Sequence, residues 1–91
     1  MKSYFLSPIS SRIAAAAALR AALPEAGNQW LLKDNGGDVI AYFSLIEKDD
    51  TTGLRTVQAD ISGRHYGSDA EVIAVLNKVR ESTGGEVTND V

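Results

Sequence analysis

DVIAYFSLIE, Asp38 to Glu47, is the stretch that decides the fold. Its β-branched and aromatic residues favour a strand. The side chains divide into two sets, Val39, Ala41, Phe43 and Leu45 on one face and Ile40, Tyr42, Ser44 and Ile46 on the other. Both sets are largely apolar, whereas a strand wetted on one side alternates apolar with polar. The stretch therefore reads as a central strand with something against both faces. A buried helix is the rival reading. Gly36-Gly37 before the stretch and the Asp-Thr-Gly run at 49–53 after it favour the strand.

Upstream, QWLLKD from Gln29 to Asp34 reads as a second strand with Trp30 and Leu32 on one face. Asn35-Gly36 between the two apolar runs predicts a tight antiparallel hairpin, because both residues accept positive φ. Downstream, a looser turn spans Lys48 to Gly53. Leu54 to Ser62 then alternates cleanly: Val57, Ala59 and Ile61 point to a core, and Thr56, Gln58, Asp60 and Ser62 point away from it.

Two helices flank this meander. KSYFL, Lys2 to Leu6, is a short strand. Ser7-Pro8 can end it and open a helix, with Ser10 or Ser11 as the alternative cap. The alanine-rich helix runs to Leu23, and Pro24 stops it. Its orientation has two readings: the alanine side packs on the sheet, or the leucine side is buried and Arg12 and Arg20 snorkel from its edges. A buried face centred on Ala15, Leu19 and Ala22 is the preferred one. Gly63 to Gly67, GRHYG, reads as a loop. Ser68-Asp69-Ala70-Glu71 matches a capping box, and Val72, Val75, Leu76 and Val79 make an apolar stripe on the helix that follows. Thr83-Gly84-Gly85 ends it, and Glu86 to Val91 is a short edge strand or a frayed tail.

The expected fold is a single α+β domain, residues 1–91. It is a two-layer sandwich with an antiparallel sheet of four or five strands and two helices, in the order β-α-β-β-β-α with an optional last β. That order loosely resembles the ferredoxin-like fold with an altered strand count. The resemblance is to a fold only and implies no function.

Composition excludes several classes. There is no cysteine, so disulfides, thiolate zinc sites and thiol catalysis are absent, which fits a cytoplasmic protein. A net charge of −3 without a visible basic face argues against nucleic acid as a partner. No stretch approaches the roughly 20 apolar residues of a membrane span, so no membrane partner is expected. Met1, Lys2 and the alanine run suggest a signal peptide, but Arg12, Arg20 and Ser7-Pro8 interrupt the apolar core such a leader needs.

Few constellations carry chemistry. His65 is the single histidine and lies between Arg64 and Tyr66 in a glycine-bounded loop before a helix N-terminus. Arg64, His65 and Tyr66 are thus the candidate ligand-binding residues, for a phosphate, a carboxylate or an acid–base step. The Gly-x-x-x-Gly spacing matches neither the phosphate loop nor the dinucleotide fingerprint. The bland reading is a surface histidine dispensable for folding. Glu47, Asp49 and Asp50 cluster in a turn without the EF-hand spacing, and one histidine excludes His-rich metal sites, so no metal, cofactor or catalytic residue is assigned.

The reading that follows is a non-enzymatic interaction module, a homodimer formed through the sheet face away from the helices. If Val39, Ala41, Phe43 and Leu45 share the helical cover, then Leu31, Ile40, Tyr42 and Ile46 form an uncovered apolar patch. A narrower version is an acidic inhibitor or immunity-type binder of a basic protein partner. The alternative is a small-ligand or anion binder, or an enzyme, using Arg64, His65 and Tyr66. It requires that loop to line a concave pocket.

Overall fold

The register between strands shows how the chain is assembled. In the computed structural model, residues 2–46 and 55–89 are described. Their elements are β1 (Lys2–Ser7), α1 (Arg12–Ala22), β2 (Glu25–Ala26), β3 (Gln29–Lys33), β4 (Val39–Ile46), β5 (Thr56–Ile61), a short 3-10 turn (Gly63–His65), α2 (Asp69–Thr83) and β6 (Glu86–Asn89). The strands form one six-stranded antiparallel sheet in the order β2-β3-β4-β5-β1-β6. The count exceeds the four or five expected. Glu25–Ala26 adds a two-residue edge opposite Trp30 and Gln29, held by the Leu31 N–H donating to the Pro24 carbonyl at 3.0 Å. Two residues are too few for a period of two to register.

Phe43 stands opposite both Trp30 and Ala59, and Ala59 opposite Tyr4. Opposed residues share a face, so one side of the sheet collects Trp30, Leu32, Ala41, Phe43, Leu45, Val57, Ala59, Ile61, Tyr4, Leu6 and Val87. The core cluster unites this face with Ala15 and Leu19 of α1 and Val72, Leu76 and Val79 of α2. The faces expected for β4 and β5 hold in this respect: Ala41, Phe43, Val57, Ala59 and Ile61 are fully buried.

Local expectations are overturned at Ile40 and at the β3–β4 hairpin. Ile40 was assigned to the uncovered face. The pairing instead steps from Leu32–Ala41 to Lys33–Val39, so Ile40 is the extra residue of a β-bulge. The bulge breaks the alternation, and the consecutive residues Ile40 and Ala41 are both buried, at 3% and 0% exposure. Thr56 lies on the face away from the core, as expected, opposite Ile46, yet it is buried there, with its hydroxyl donating to Ser7 Oγ at 3.1 Å. In the β3–β4 hairpin, the left-handed residue is Gly37 at φ 86°, and neither Asn35 nor Gly36 has positive φ. The Gly37 N–H donates to the Asp34 carbonyl at 3.0 Å and the Asp34 N–H to the Asp38 carbonyl at 2.9 Å. This is a three-residue loop closed by a glycine bulge, in place of a two-residue Asn-Gly turn.

The helices are placed by their caps and stripes. Ser11 is the cap of α1, its hydroxyl accepting the Ala14 N–H at 3.2 Å. Ala15 and Leu19 are buried, while Arg12, Arg20, Ala22 and Ile13 face out, Ile13 at 80% exposure. At Ser68 the capping box does not form, because the serine side chain makes no cap bond. Its carbonyl accepts the Glu71 and Val72 N–H groups. The α2 stripe is Val72, Leu76, Val79 and Thr83, with Val75 half-buried.

Candidate functional site

Asp34 and Asp38 are the two shoulders of the β3–β4 turn, and they meet the residues that follow β5. One oxygen of Asp34, Oδ1, accepts the backbone N–H groups of Gly36 and Asp38, each at 2.9 Å. Asp38 Oδ1 accepts from the Arg64 guanidinium, and Asp38 Oδ2 lies 2.8 Å from His65 Nε2. Asp34 Oδ2 lies 4.0 Å from the same nitrogen. The Ser62 N–H donates to the Ile40 carbonyl at 2.8 Å, tying the two segments together through backbone as well. Hydrogen bonding from His65, then the nearby Arg64 charge, holds the Asp38 carboxyl below its ordinary range.

The structure brings two of the three expected ligand-binding residues together and separates the third. Arg64 and His65 both engage Asp38, so an external anion at this loop competes with a carboxylate already in place. Tyr66 is 44% exposed and takes no part in the Asp38 bonds. The His65 ring is only 17% exposed, which departs from the surface histidine of the bland reading. Concavities lined by described residues run along α2 at Ala74, Asn77 and Lys78, between the helices at Ala18 and Ala21, and beside Ser11 and Arg55. None of these includes Arg64, His65 or Tyr66. The Glu47, Asp49 and Asp50 cluster lies outside the described residues.

Asp69, at the start of α2, forms a second polar centre that the sequence did not reveal. Register places Lys2 and Tyr4 on the helix side of β1. The Tyr4 hydroxyl donates to Asp69 Oδ2, and Lys2 Nζ lies 2.6 Å from the same oxygen. Hydrogen bonds from Lys2 first, then Tyr4, hold the Asp69 carboxyl down, and their bonds to Asp69 push the Lys2 and Tyr4 groups up. The arrangement ties the start of α2 to β1.

The far face of the sheet is the remaining candidate. It carries Leu31, Tyr42, Asp60 and Ser3 in one row across the strands, and Ser44, Gln58 and Phe5 in the next. Asp60 Oδ1 accepts from Ser3 Oγ at 2.6 Å and from Gln58 Nε2 at 2.9 Å, a polar centre between the aromatic rings. Of the four expected interface residues, Leu31, Tyr42 and Ile46 lie half-buried on this face, and Ile40 does not. Phe5, which sequence reasoning did not include, joins them. Its place became visible only with the β1–β5 register.

Comparison with protein-family models, curated proteins and solved structures finds no match.

Proposed function

We propose that this protein is a small interaction module that pairs with a second copy of itself through the sheet face away from the helices. We read the fold as a two-layer sandwich on a ferredoxin-like plan, with β2 and β3 added beyond β4. The observation that carries the proposal is where the apolar side chains go. Phe5, Leu31, Tyr42 and Ile46 belong neither to the buried core cluster nor to the partly buried residues packed against it. Three strands' worth of half-buried apolar surface with a polar centre is the composition of a contact patch. A two-fold pairing of like faces is the commonest way to bury one.

Size sets the strength. Six strands at about 4.8 Å spacing make a face about 24 Å wide, and strands of five to six residues run about 17–20 Å. The face is then roughly 400 Å² in projection, below the roughly 800 Å² per partner of a standard interface. The dimer is accordingly weak and concentration-dependent. Net charge −3 also suits a basic protein partner on the same face, the acidic-binder form of this reading. An anion-binding or enzymatic role gains less support, since Asp38 occupies Arg64 and His65.

Sedimentation equilibrium across micromolar concentrations tests the proposal on the parent and on Tyr42→Glu. The parent is expected to self-associate and the variant to stay monomeric, because a two-fold axis sets the new carboxylates near each other in an apolar patch. If both are monomers, the dimer fails and most of the case for an interaction module fails with it.

A further inference from the structure

We propose that Asp34, Asp38 and His65 form a binding site for a divalent first-row transition cation, for which Zn²⁺ is the probe. The donor atoms come from two elements far apart in sequence, the β3–β4 turn and the 3-10 turn after β5. One atom from each residue lies within 4.8 Å of the others. Imidazole with carboxylates is the donor set of zinc, manganese and iron(II). Calcium prefers six to eight oxygens, and softer ions prefer sulfur.

The orientation of each carboxylate is what favours a site over a cluster of acids. Asp34 is gripped through Oδ1 alone, by two backbone N–H groups. Asp38 is gripped by Arg64, likewise through Oδ1. In both, Oδ2 is the oxygen turned to His65 Nε2, at 4.0 Å and 2.8 Å. Tetrahedral ligands about 2.0–2.1 Å from zinc stand about 3.3 Å apart. The two observed separations from Nε2 bracket that value, and all three donors lie within 4.8 Å of one another, so side-chain adjustment brings them to a three-donor face, with water completing the shell. A clamp between the 3-10 turn and the hairpin needs only the Asp38–His65 bond. It gives Asp34 Oδ2 no reason to face the same nitrogen.

Arg64 acts here as an outer-shell partner, fixing Asp38 through the oxygen the cation does not use, as carboxylate ligands are commonly fixed. Two carboxylates and one guanidinium leave an excess of one negative charge beside the imidazole, which favours a dication.

The test is a titration of tag-free protein with ZnCl₂ by calorimetry, with the His65 ring ¹⁵N signals followed by NMR. Three proteins are compared: the parent, His65→Gln and Asp34→Asn. Asp34→Asn keeps an Oδ1 acceptor for the Gly36 and Asp38 N–H groups and removes only the carboxylate donor, so the turn survives. The parent is expected to bind one equivalent with a sub-millimolar constant and a large shift at His65 Nε2. Both variants are expected to bind at least tenfold more weakly, with Asp34→Asn unfolding at the parent's temperature when zinc is absent. Three outcomes overturn the proposal: no saturable binding by the parent, binding that leaves the His65 nitrogens unmoved, or equal affinity in Asp34→Asn.

Discussion

Replacing Gly85 with alanine tests the close approach of two backbone segments. Gly85 lies between α2 and β6 at φ 100°, and a Cβ there would stand 2.6 Å from the Pro8 carbonyl oxygen and 3.3 Å from Leu6 Cδ1. The carbonyl cannot simply retreat. The residues after it are anchored by the Ile9 N–H to the Arg55 carbonyl and the Ser10 N–H to the Thr83 carbonyl, both at 3.1 Å. Holding an L-residue at this φ costs about 1–3 kcal/mol. Forcing a methyl group into occupied space costs about 1–3 kcal/mol more. The sum, about 2–6 kcal/mol, is a large part of the roughly 5–14 kcal/mol expected for a domain of this length. It corresponds to a fall of about 10–30 °C in Tm. Urea unfolding followed by circular dichroism measures it, with two controls. Gly37→Ala has positive φ and open space around the new Cβ, so it isolates the backbone cost. Gly63→Ala has neither problem and should stay within about 0.5 kcal/mol of the parent. A Gly85→Ala protein no less stable than Gly37→Ala would refute the close approach to Pro8.

Other outcomes follow from the caps, the core and the second polar centre. Ser11→Ala should cost about 1 kcal/mol by losing the bond to Ala14, while Ser68→Ala should fall within about 0.5 kcal/mol of the parent because it caps nothing; reversed ranks in urea denaturation would put the caps elsewhere. Phe43→Ala empties the middle of the sheet's buried face and should cost about 3–5 kcal/mol, read from the urea midpoint at constant m-value. Asp69→Asn bears on pH. A carboxyl held low contributes stability that is complete above the ordinary aspartate pKa and lost as pH falls through the lowered one. Raised Lys2 and Tyr4 groups contribute stability that is complete below their ordinary values and lost as pH rises through the raised ones. The stability gap between parent and Asp69→Asn should therefore be widest from about pH 5 to pH 9 and narrow at both ends. A gap independent of pH would remove Asp69 from its ion pair.

The parts legible in the sequence are those that a short window determines. Val57, Ala59 and Ile61 alternate with polar neighbours, so their burial was readable, as was the stripe of Val72, Leu76 and Val79. The antiparallel pairing of β3 with β4 followed from two apolar runs around glycines. Its turn type did not, since Asp34 closes the loop with its own side chain and moves the left-handed position to Gly37. Ile40 was misplaced because a bulge is one residue of excess pairing, which a period of two cannot encode. The capping box failed because Ser68, at φ −98° and ψ 26°, departs from the extended backbone that turns a cap hydroxyl to the helix amides. The acids around His65 had a faint signal: aspartates on both shoulders of a tight turn lie side by side. Their histidine, however, arrives from beyond β5, and no local pattern announces that meeting.

The position of β1 inside the sheet governs the order in which the protein can be assembled. Tyr4 stands opposite both Ala59 and Asn89, so the first strand of the chain is the seam between β5 and β6. During synthesis the β3–β4 hairpin can close as soon as it emerges. The seam must wait for β5 and then β6 to be made, with Tyr4 and Leu6 uncovered until β5 arrives. Contacts this distant in sequence place folding in the slow, topology-limited regime, about milliseconds to seconds. Until then α1, the β2–β3–β4–β5 strands and α2 can form from contacts near in sequence, and none of them completes the sheet.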